Sequence, residues 1–525
     1  MGNDLIDQID SYALTNKTAL KMHNKTVSYS ELKYDTEKIA NYISNISYGI
    51  QSPIVIYMKR SILFIEFMIG IIKAGSYYIP LEDNIPISRV MDIIADSGAT
   101  NIVVDDNTFA SISIKTFNRK VNIINIKNIH IDTKNEHTTD IKKDTLLFQT
   151  YNDTHIDYNK LVYVIYTSGS SGIPKGVKIK YSNLQNLVEA FYDILYSNIP
   201  KQSNIGVVAS FSFDSSVKQI YCALYYGHCL CIAEDKDKYF GQRLISFFRN
   251  NQIEVSDITP THLKLLIMQK KYDECFVGTL LIGGEKLRYE TLYDLECKMK
   301  KIPVLINVYG PTECCVDVAY NYIFKDEILE QQVGDVPIGR AINNSRIFLR
   351  NNDGIIIEKN EEVGELCITG APVGAGYVNA SDTAFVMGEY GPEYRSGDLA
   401  YYDIEDKLIV VGRKDKQIKI HGNRIEPNEI ANVIEKITGC KCFVVCLSHN
   451  NGKFLAAYLV EKKDLDISLA ELKNKLKDYL PLYMIPKFYV FADKIPLTQN
   501  GKVNEKCIIE TIERRIAVGE LDKYE

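Results

Sequence analysis

Short apolar runs with strand composition alternate along most of the chain with longer stretches of helical period, and this alternation restricts the fold more than any single motif. Leu161 to Tyr166, Ile205 to Ala209 and Val304 to Val308 are runs of the first kind, and Ser182 to Tyr196 is of the second. Buried runs separated by helices are the pattern of parallel sheets with helices packed on their faces. From Val363 the texture changes to short strands with Gly turns, Gly364 to Gly370 and Leu408 to Gly412. A charged link, Arg413-Lys-Asp-Lys416, follows, and beyond it come a helix at Pro427–Ile437, strands at Cys442–Leu447 and Phe454–Val460, and a helix at Ser468–Tyr479. The expected fold class is therefore α/β. A large N-terminal domain, 1–412, has mostly parallel β-sheets flanked by helices plus a β-rich subdomain, and a small C-terminal α+β domain covers 413–525.

With 525 residues, 46% of them hydrophobic, the chain has apolar material for more than one core. Its formal charge is −6 and its 61 basic residues are dispersed, which argues against nucleic acid or an anionic membrane as partner. The stretch Ile62 to Ile72 is interrupted by Glu66 and is too short to span a bilayer, so it reads as a buried helix. The 12 cysteines form no CxxC or Cys/His zinc spacing, and no signal peptide opens the chain, so reduced thiols and a cytoplasmic location are expected. The polar segment from Lys115 to Asn159 is expected to be surface strands and loops.

The strongest local motif is Tyr166-Thr-Ser-Gly-Ser-Ser-Gly-Ile-Pro-Lys-Gly176, directly after the run Leu161 to Ile165. Free backbone N–H groups around Gly169 and Gly172, hydroxyls of Thr167, Ser168, Ser170 and Ser171, and the Lys175 ammonium are suited to cradle phosphate. The order Lys175 before Gly176 fails the GxxxxGK-Ser/Thr pattern, so a P-loop kinase or ATPase is disfavoured.

With further motifs in order, the chain resembles the adenylate-forming enzymes, specifically the adenylation domains of nonribosomal peptide synthetases and their stand-alone relatives. The markers are Lys73 to Leu81, the Ser/Gly loop, Phe213-Asp214, Asn307-Val-Tyr-Gly-Pro-Thr-Glu313, Gly364-Glu-Leu366, Tyr394-Arg-Ser-Gly-Asp398, Gly412-Arg-Lys-Asp415 and Asn500-Gly-Lys502. The resemblance implies ATP and Mg²⁺ as cofactors, activation of an acid as its acyl-adenylate, and a C-terminal domain that moves. It assigns Tyr309 and Asn307 to adenine, Gly283, Gly284 and Glu285 to a turn near nucleotide and substrate, and Asp398 with Arg413 to the ribose. Gly310 then belongs to the ATP site, Thr312 faces phosphate, and Glu313 is the Mg²⁺ ligand. Lys502 stabilises charge as the substrate carboxylate attacks the α-phosphate. Asp415 is the expected hinge.

Asp214 points to an amino acid, because a buried carboxylate needs a cation and an α-ammonium supplies one. By the same resemblance the side-chain pocket is lined by Asp214, Ser215, Lys218, Asp257, Leu281, Gly283, Val308, Val316 and Asp317. This set resembles that of glutamate-activating domains, with Lys218 reading the side-chain carboxylate and Asp257 and Asp317 holding the lysine. Three aspartates against one lysine would also suit a neutral or cationic side chain, and glutamine is the nearest competitor. Other readings are a D-alanine–carrier protein ligase, an acyl-CoA synthetase and a non-catalytic nucleotide-binding regulator. No carrier segment follows Lys502, so the expected acceptor is the phosphopantetheine thiol of a separate carrier protein.

Overall fold

The computed structural model describes residues 4–47, 51–113, 115, 117, 120–128, 157–169, 174–269, 277–299, 301–357, 362–379, 383–415, 417–420, 422–449, 452–460, 467–496 and 503–520. Ser170, Ser171, Gly172 and Lys502 lie outside them, as does most of Lys115 to Asn159. The one strand described in that last segment, Asn122–Asn125, is the edge of a buried sheet and pairs in parallel with Asn101–Val104.

Among the described residues, a nine-stranded sheet and a six-stranded sheet form the large part of the molecule. In the first, Thr18–Met22, Cys229–Ile232, Asn204–Val207, Ile253–Ile258, Thr279–Ile282 and Val304–Tyr309 run parallel in that order, and antiparallel strands close both edges. In the second, Asn101–Val104, Pro53–Met58, Tyr77–Glu82 and Leu161–Thr167 are parallel, with Lys175–Lys180 antiparallel at the edge. Strands buried on both faces read as continuous apolar runs, which is why they were visible in the sequence. The helix Ile62–Lys73 is buried on nearly every side, as its composition requires. The β-rich part, Ser345 to Arg413, is antiparallel and packs on its own cluster around Leu366, Ile368 and Tyr394. Beyond it, Ile420 to Ile512 build two further clusters, around Ile430, Leu459 and Leu476 and around Val490 and Ile512.

Glu66 sits inside Ile62–Lys73 at 3% exposure, and burial, reinforced by Asp35, raises its carboxyl to about 8. A raised acid contributes stability that is fully present below about 4.5 and is lost as pH rises through about 8. Glu66→Gln is therefore expected to stabilise the protein at pH 9 by roughly 2–4 kcal/mol more than at pH 4. Thermal melts of both proteins at the two pH values check this, and an equal shift at both would remove the buried charge as its cause.

Candidate active site

The candidate site lies at the carboxyl ends of the parallel strands, where crevices open in sheets of this type. Asp257 ends one strand, Leu281 is its register partner on the next, and Val308 and Tyr309 end the third. Gly283 follows its strand so closely on Val308 that a Cβ would stand 2.7 Å from Val308 Cγ2. Gly310 is tighter, since a Cβ there would meet the Val316 carbonyl oxygen at 2.1 Å. That proximity comes from the turn Cys315-Val316, where both residues have positive φ, +56° and +77°. Left-handed backbone is costly for a β-branched residue, and such strain collects at functional sites. Here the turn delivers Asp317 into the pocket.

Asp214 stands at the N-terminus of the helix Ser215–Tyr225 but makes no capping hydrogen bond. Its carboxyl is enclosed, and burial raises its pKa against an opposing hydrogen bond from Thr312. The loop that holds it is fixed from the other sheet: the Phe211 N–H and the Ser210 hydroxyl donate to Glu82 at 2.8 and 2.6 Å, and the Glu82 N–H donates to Ser212 Oγ at 2.8 Å. Buried Arg60 completes the brace, donating to the carbonyls of Val207, Ala209 and Ala233 and pairing with Glu82. Nothing in the sequence reading singled out Arg60 or Glu82.

Four residues after Asp214 and on the same helix face, Lys218 is 3% exposed. Its Nζ lies 2.5 Å from Asp317 Oδ2, 3.0 Å from Asp257 Oδ2 and 4.7 Å from the centre of the Phe191 ring. Burial alone would lower its pKa, but Asp257 and Asp317 more than offset this and hold it above the usual lysine value. Burial raises the Asp257 carboxyl in spite of Lys218. Ser215 opens the helix that carries Lys218, Leu281 and Val308 stand on the next two strands beyond that of Asp257, and Val316 immediately precedes Asp317.

On the nucleotide side, Tyr309 donates to Asp398 Oδ2 at 2.5 Å and Arg413 Nη1 to Asp398 Oδ1 at 2.7 Å. Each carboxylate oxygen keeps a further lone pair for a ribose hydroxyl. Asn307, assigned by resemblance to adenine, is partly engaged by the backbone. Its Nδ2 is already committed to the carbonyls of Pro337, at 2.8 Å, and Val336, so only its oxygen end could meet a base. Thr167, Ser168, Gly169 and Lys175 flank the undescribed loop, with the Lys175 ammonium 5.5 Å from the Tyr377 ring.

The C-terminal part closes over this side. The hairpin Ile418–Ile420 and Asn423–Ile425 places the Gly422 N–H on Glu285 Oε1 at 3.0 Å, while Thr261 Oγ1 donates to Glu285 Oε2 at 2.7 Å. Gly284, at φ +79°, has Gly422 Cα within 3.6 Å of where a Cβ would be. Ser168 Oγ donates to the Arg424 carbonyl at 2.8 Å, and Arg89 Nη1 pairs with Glu429 at 2.5 Å. Arg424 Nη1 reaches Glu313 Oε1 at 2.6 Å, and the Tyr377 hydroxyl donates to the same oxygen at 2.8 Å. Glu313 is fully buried, and burial is outweighed by Arg424 and Tyr377, which hold its carboxyl below the usual range. Its Oε2 has no hydrogen-bond partner among the described residues, so one hard oxygen donor remains for a cation such as Mg²⁺. Arg424 and Tyr377 were missed in the sequence; the one available signal was a charged residue beside a Gly-Asn turn, Gly422-Asn-Arg424. Asp415 accepts from Arg413 Nε and Nη2 at 2.7 and 2.8 Å, just past the end of the strand Leu408–Arg413.

Comparison with known proteins agrees with this architecture. The AMP-binding enzyme family pattern matches residues 9–378, and that of the AMP-binding enzyme C-terminal domain matches 434–502. Bacitracin synthase 1 of Bacillus licheniformis is 33% identical over 94% of the chain, although the chain spans only 9% of that protein and 13% of surfactin synthase subunit 1 of Bacillus subtilis. A D-alanine–D-alanyl carrier protein ligase of Bacillus anthracis is 30% identical, with 97% of this chain and 99% of the relative covered. In fold, the adenylation domain AlmE of Vibrio cholerae, solved with glycyl-adenosine-5'-phosphate, superposes with a TM-score of 0.81 at 21% identity over 98% of each chain. The chain belongs to the AMP-binding enzyme family.

Proposed function

We propose that the protein activates glutamate with ATP as glutamyl-adenylate, releasing pyrophosphate, and passes the acyl group to the phosphopantetheine thiol of a carrier protein. The observation that carries the substrate reading is Lys218, buried among the side chains expected to line the pocket and one helical turn from Asp214. In this reading Asp214 takes the α-ammonium, and Lys218 meets the side-chain carboxylate. Asp257, at 3.0 Å the longer of the two contacts to Lys218, is the carboxylate that gives way to it. Thr167, Ser168, Gly169, Lys175 and Thr312 face the phosphates, and Asp398 with Arg413 takes the ribose. Glu313 would hold Mg²⁺, which when bound would neutralise phosphate charge. A carrier-protein acceptor is supported by relatives whose names include one, among them the D-alanyl carrier protein ligases.

A second reading has its own support. Lys218 is already met by two carboxylates, so the pocket's fixed charge is not positive, and an amide side chain such as that of glutamine would fit without adding charge. Amino-acid-dependent pyrophosphate exchange separates the two. Glutamate should exceed glutamine and alanine, since its carboxylate can replace Asp257 beside Lys218 with the same charge, which an amide or a methyl group cannot. Lys218→Gln should move the glutamate-to-glutamine ratio towards glutamine by about tenfold or more. An unchanged ratio would overturn the glutamate reading and leave adenylation standing.

We place the pivot of the C-terminal domain at Asp415, between the strand Leu408–Arg413 and the hairpin. Asp415→Pro fixes φ there and should slow transfer to the carrier more than adenylation. Asp415→Ala removes the pairing with Arg413 but not the freedom of φ, and should largely spare transfer. Equal loss of both half-reactions in the proline variant would count against a pivot at this residue.

A further inference from the structure

The helix that presents Lys218 also carries a buried amide whose hydrogen-bonding capacity is unused. Gln219 is 3% exposed, and neither its Nε2 nor its Oε1 has a hydrogen-bond partner among the described residues. It lies one residue beyond Lys218 and four beyond Ser215, so it shares a helix face with Ser215. A buried amide that forgoes both hydrogen bonds is costly, whereas an apolar side chain of the same length would not be. Burial raises the carboxyl of its neighbour Asp257, and Lys218 and the Gln219 amide oppose that rise, yet no hydrogen bond between amide and carboxyl is closed. Asp257 is itself loosely held. Lys218 donates a hydrogen bond to Asp317 Oδ2 at 2.5 Å, but Asp257 Oδ2, 3.0 Å from the same Nζ, completes none.

Resting on the glutamate reading above, we propose that Gln219 is the receiver of Asp257, a positioning residue that sets specificity for an acidic side chain. When a substrate carboxylate takes the place beside Lys218, Asp257 turns from the lysine to the Gln219 amide. Only hydrogen bonds and ion pairs are exchanged in this step. The amide is suited to it because a donor stands beside an acceptor, the complement of a carboxyl group whether ionised or protonated. Without Gln219 the displaced carboxyl would stay enclosed with no partner, and that penalty would fall on glutamate binding. Glutamine, whose own amide can donate to Asp257 where it stands, does not displace it and does not incur the penalty.

Gln219→Met keeps the length of the side chain and removes both polar atoms. In pyrophosphate exchange it should raise KM for glutamate about tenfold, with kcat within about twofold of the parent. Exchange with glutamine should stay within about twofold, so the glutamate-to-glutamine ratio falls about tenfold. In an Asp257→Ala background, where nothing is left to displace, adding Gln219→Met should change glutamate exchange by less than about twofold. Melting curves should place Gln219→Met level with the parent or above it, since an unmet buried amide has been replaced by an apolar group. An unchanged ratio in Gln219→Met overturns the proposal, and so does an equal loss with both amino acids, the mark of a structural role. A full effect persisting in the Asp257→Ala background would mean that Gln219 meets the substrate itself, and overturns it too. If the parent does not prefer glutamate, the glutamate reading falls and this proposal with it.

Discussion

Replacing Lys502 by alanine is expected to lower the rate of adenylate formation by about 10²–10³ while leaving ATP binding largely intact. Asp214, Glu313 and Asp317 are acids, and the cations Arg424 and Lys218 are already paired with Glu313 and Asp317. Negative charge that builds on the carboxylate and phosphoryl oxygens during attack therefore needs a cation brought in from the C-terminal segment, and the Asn500-Gly-Lys502 turn is where the family resemblance puts it. Because that charge is larger in the transition state than in the ground state, the loss should fall on kcat rather than on nucleotide affinity. Pyrophosphate exchange and calorimetric ATP binding measured on the same preparation separate the two. Undiminished exchange would remove Lys502 from the chemistry.

A second large loss is expected from Asp214→Asn, which should cut kcat/KM for the amino acid by about 10²–10³, the cost of leaving an ammonium buried without its partner. The effect should appear mainly in KM. The side chain caps nothing, and burial already disfavours its charge, so the substitution should leave the melting temperature unchanged or slightly higher. This pairing of outcomes distinguishes a substrate-binding carboxylate from a helix cap, whose removal typically destabilises by about 1 kcal/mol with little effect on KM. A loss below tenfold would contradict the assignment.

The fold was legible where burial imposes composition. Strands such as Val304–Tyr309 and helices such as Pro427–Thr438 fall within one or two residues of their expected limits, because two-sided burial and amphipathic period are local properties of sequence. Asp257, Leu281 and Val308 stand on three neighbouring strands and Ser215 and Lys218 on one helix, and what the sequence could not convey is how the charges among them are shared. Lys218 is spent on two carboxylates contributed from strand and loop positions 39 and 99 residues away, a relation set by sheet order. Asn307 is half-consumed by the backbone at Val336 and Pro337 for the same reason. The Cys315-Val316 turn was hidden because neither residue type signals left-handed backbone; only the crowding at Gly310 explains it in retrospect. Arg424 was hidden because its partner lies 111 positions away in the chain.

The most direct test of the account is ATP–pyrophosphate exchange by the purified chain with Mg²⁺ and each amino acid in turn. The account predicts exchange that depends on an added amino acid, highest with glutamate, and strongly reduced in Asp214→Asn and Lys502→Ala. Exchange supported equally by simple carboxylic acids lacking an amino group, or by no acid at all, would contradict it.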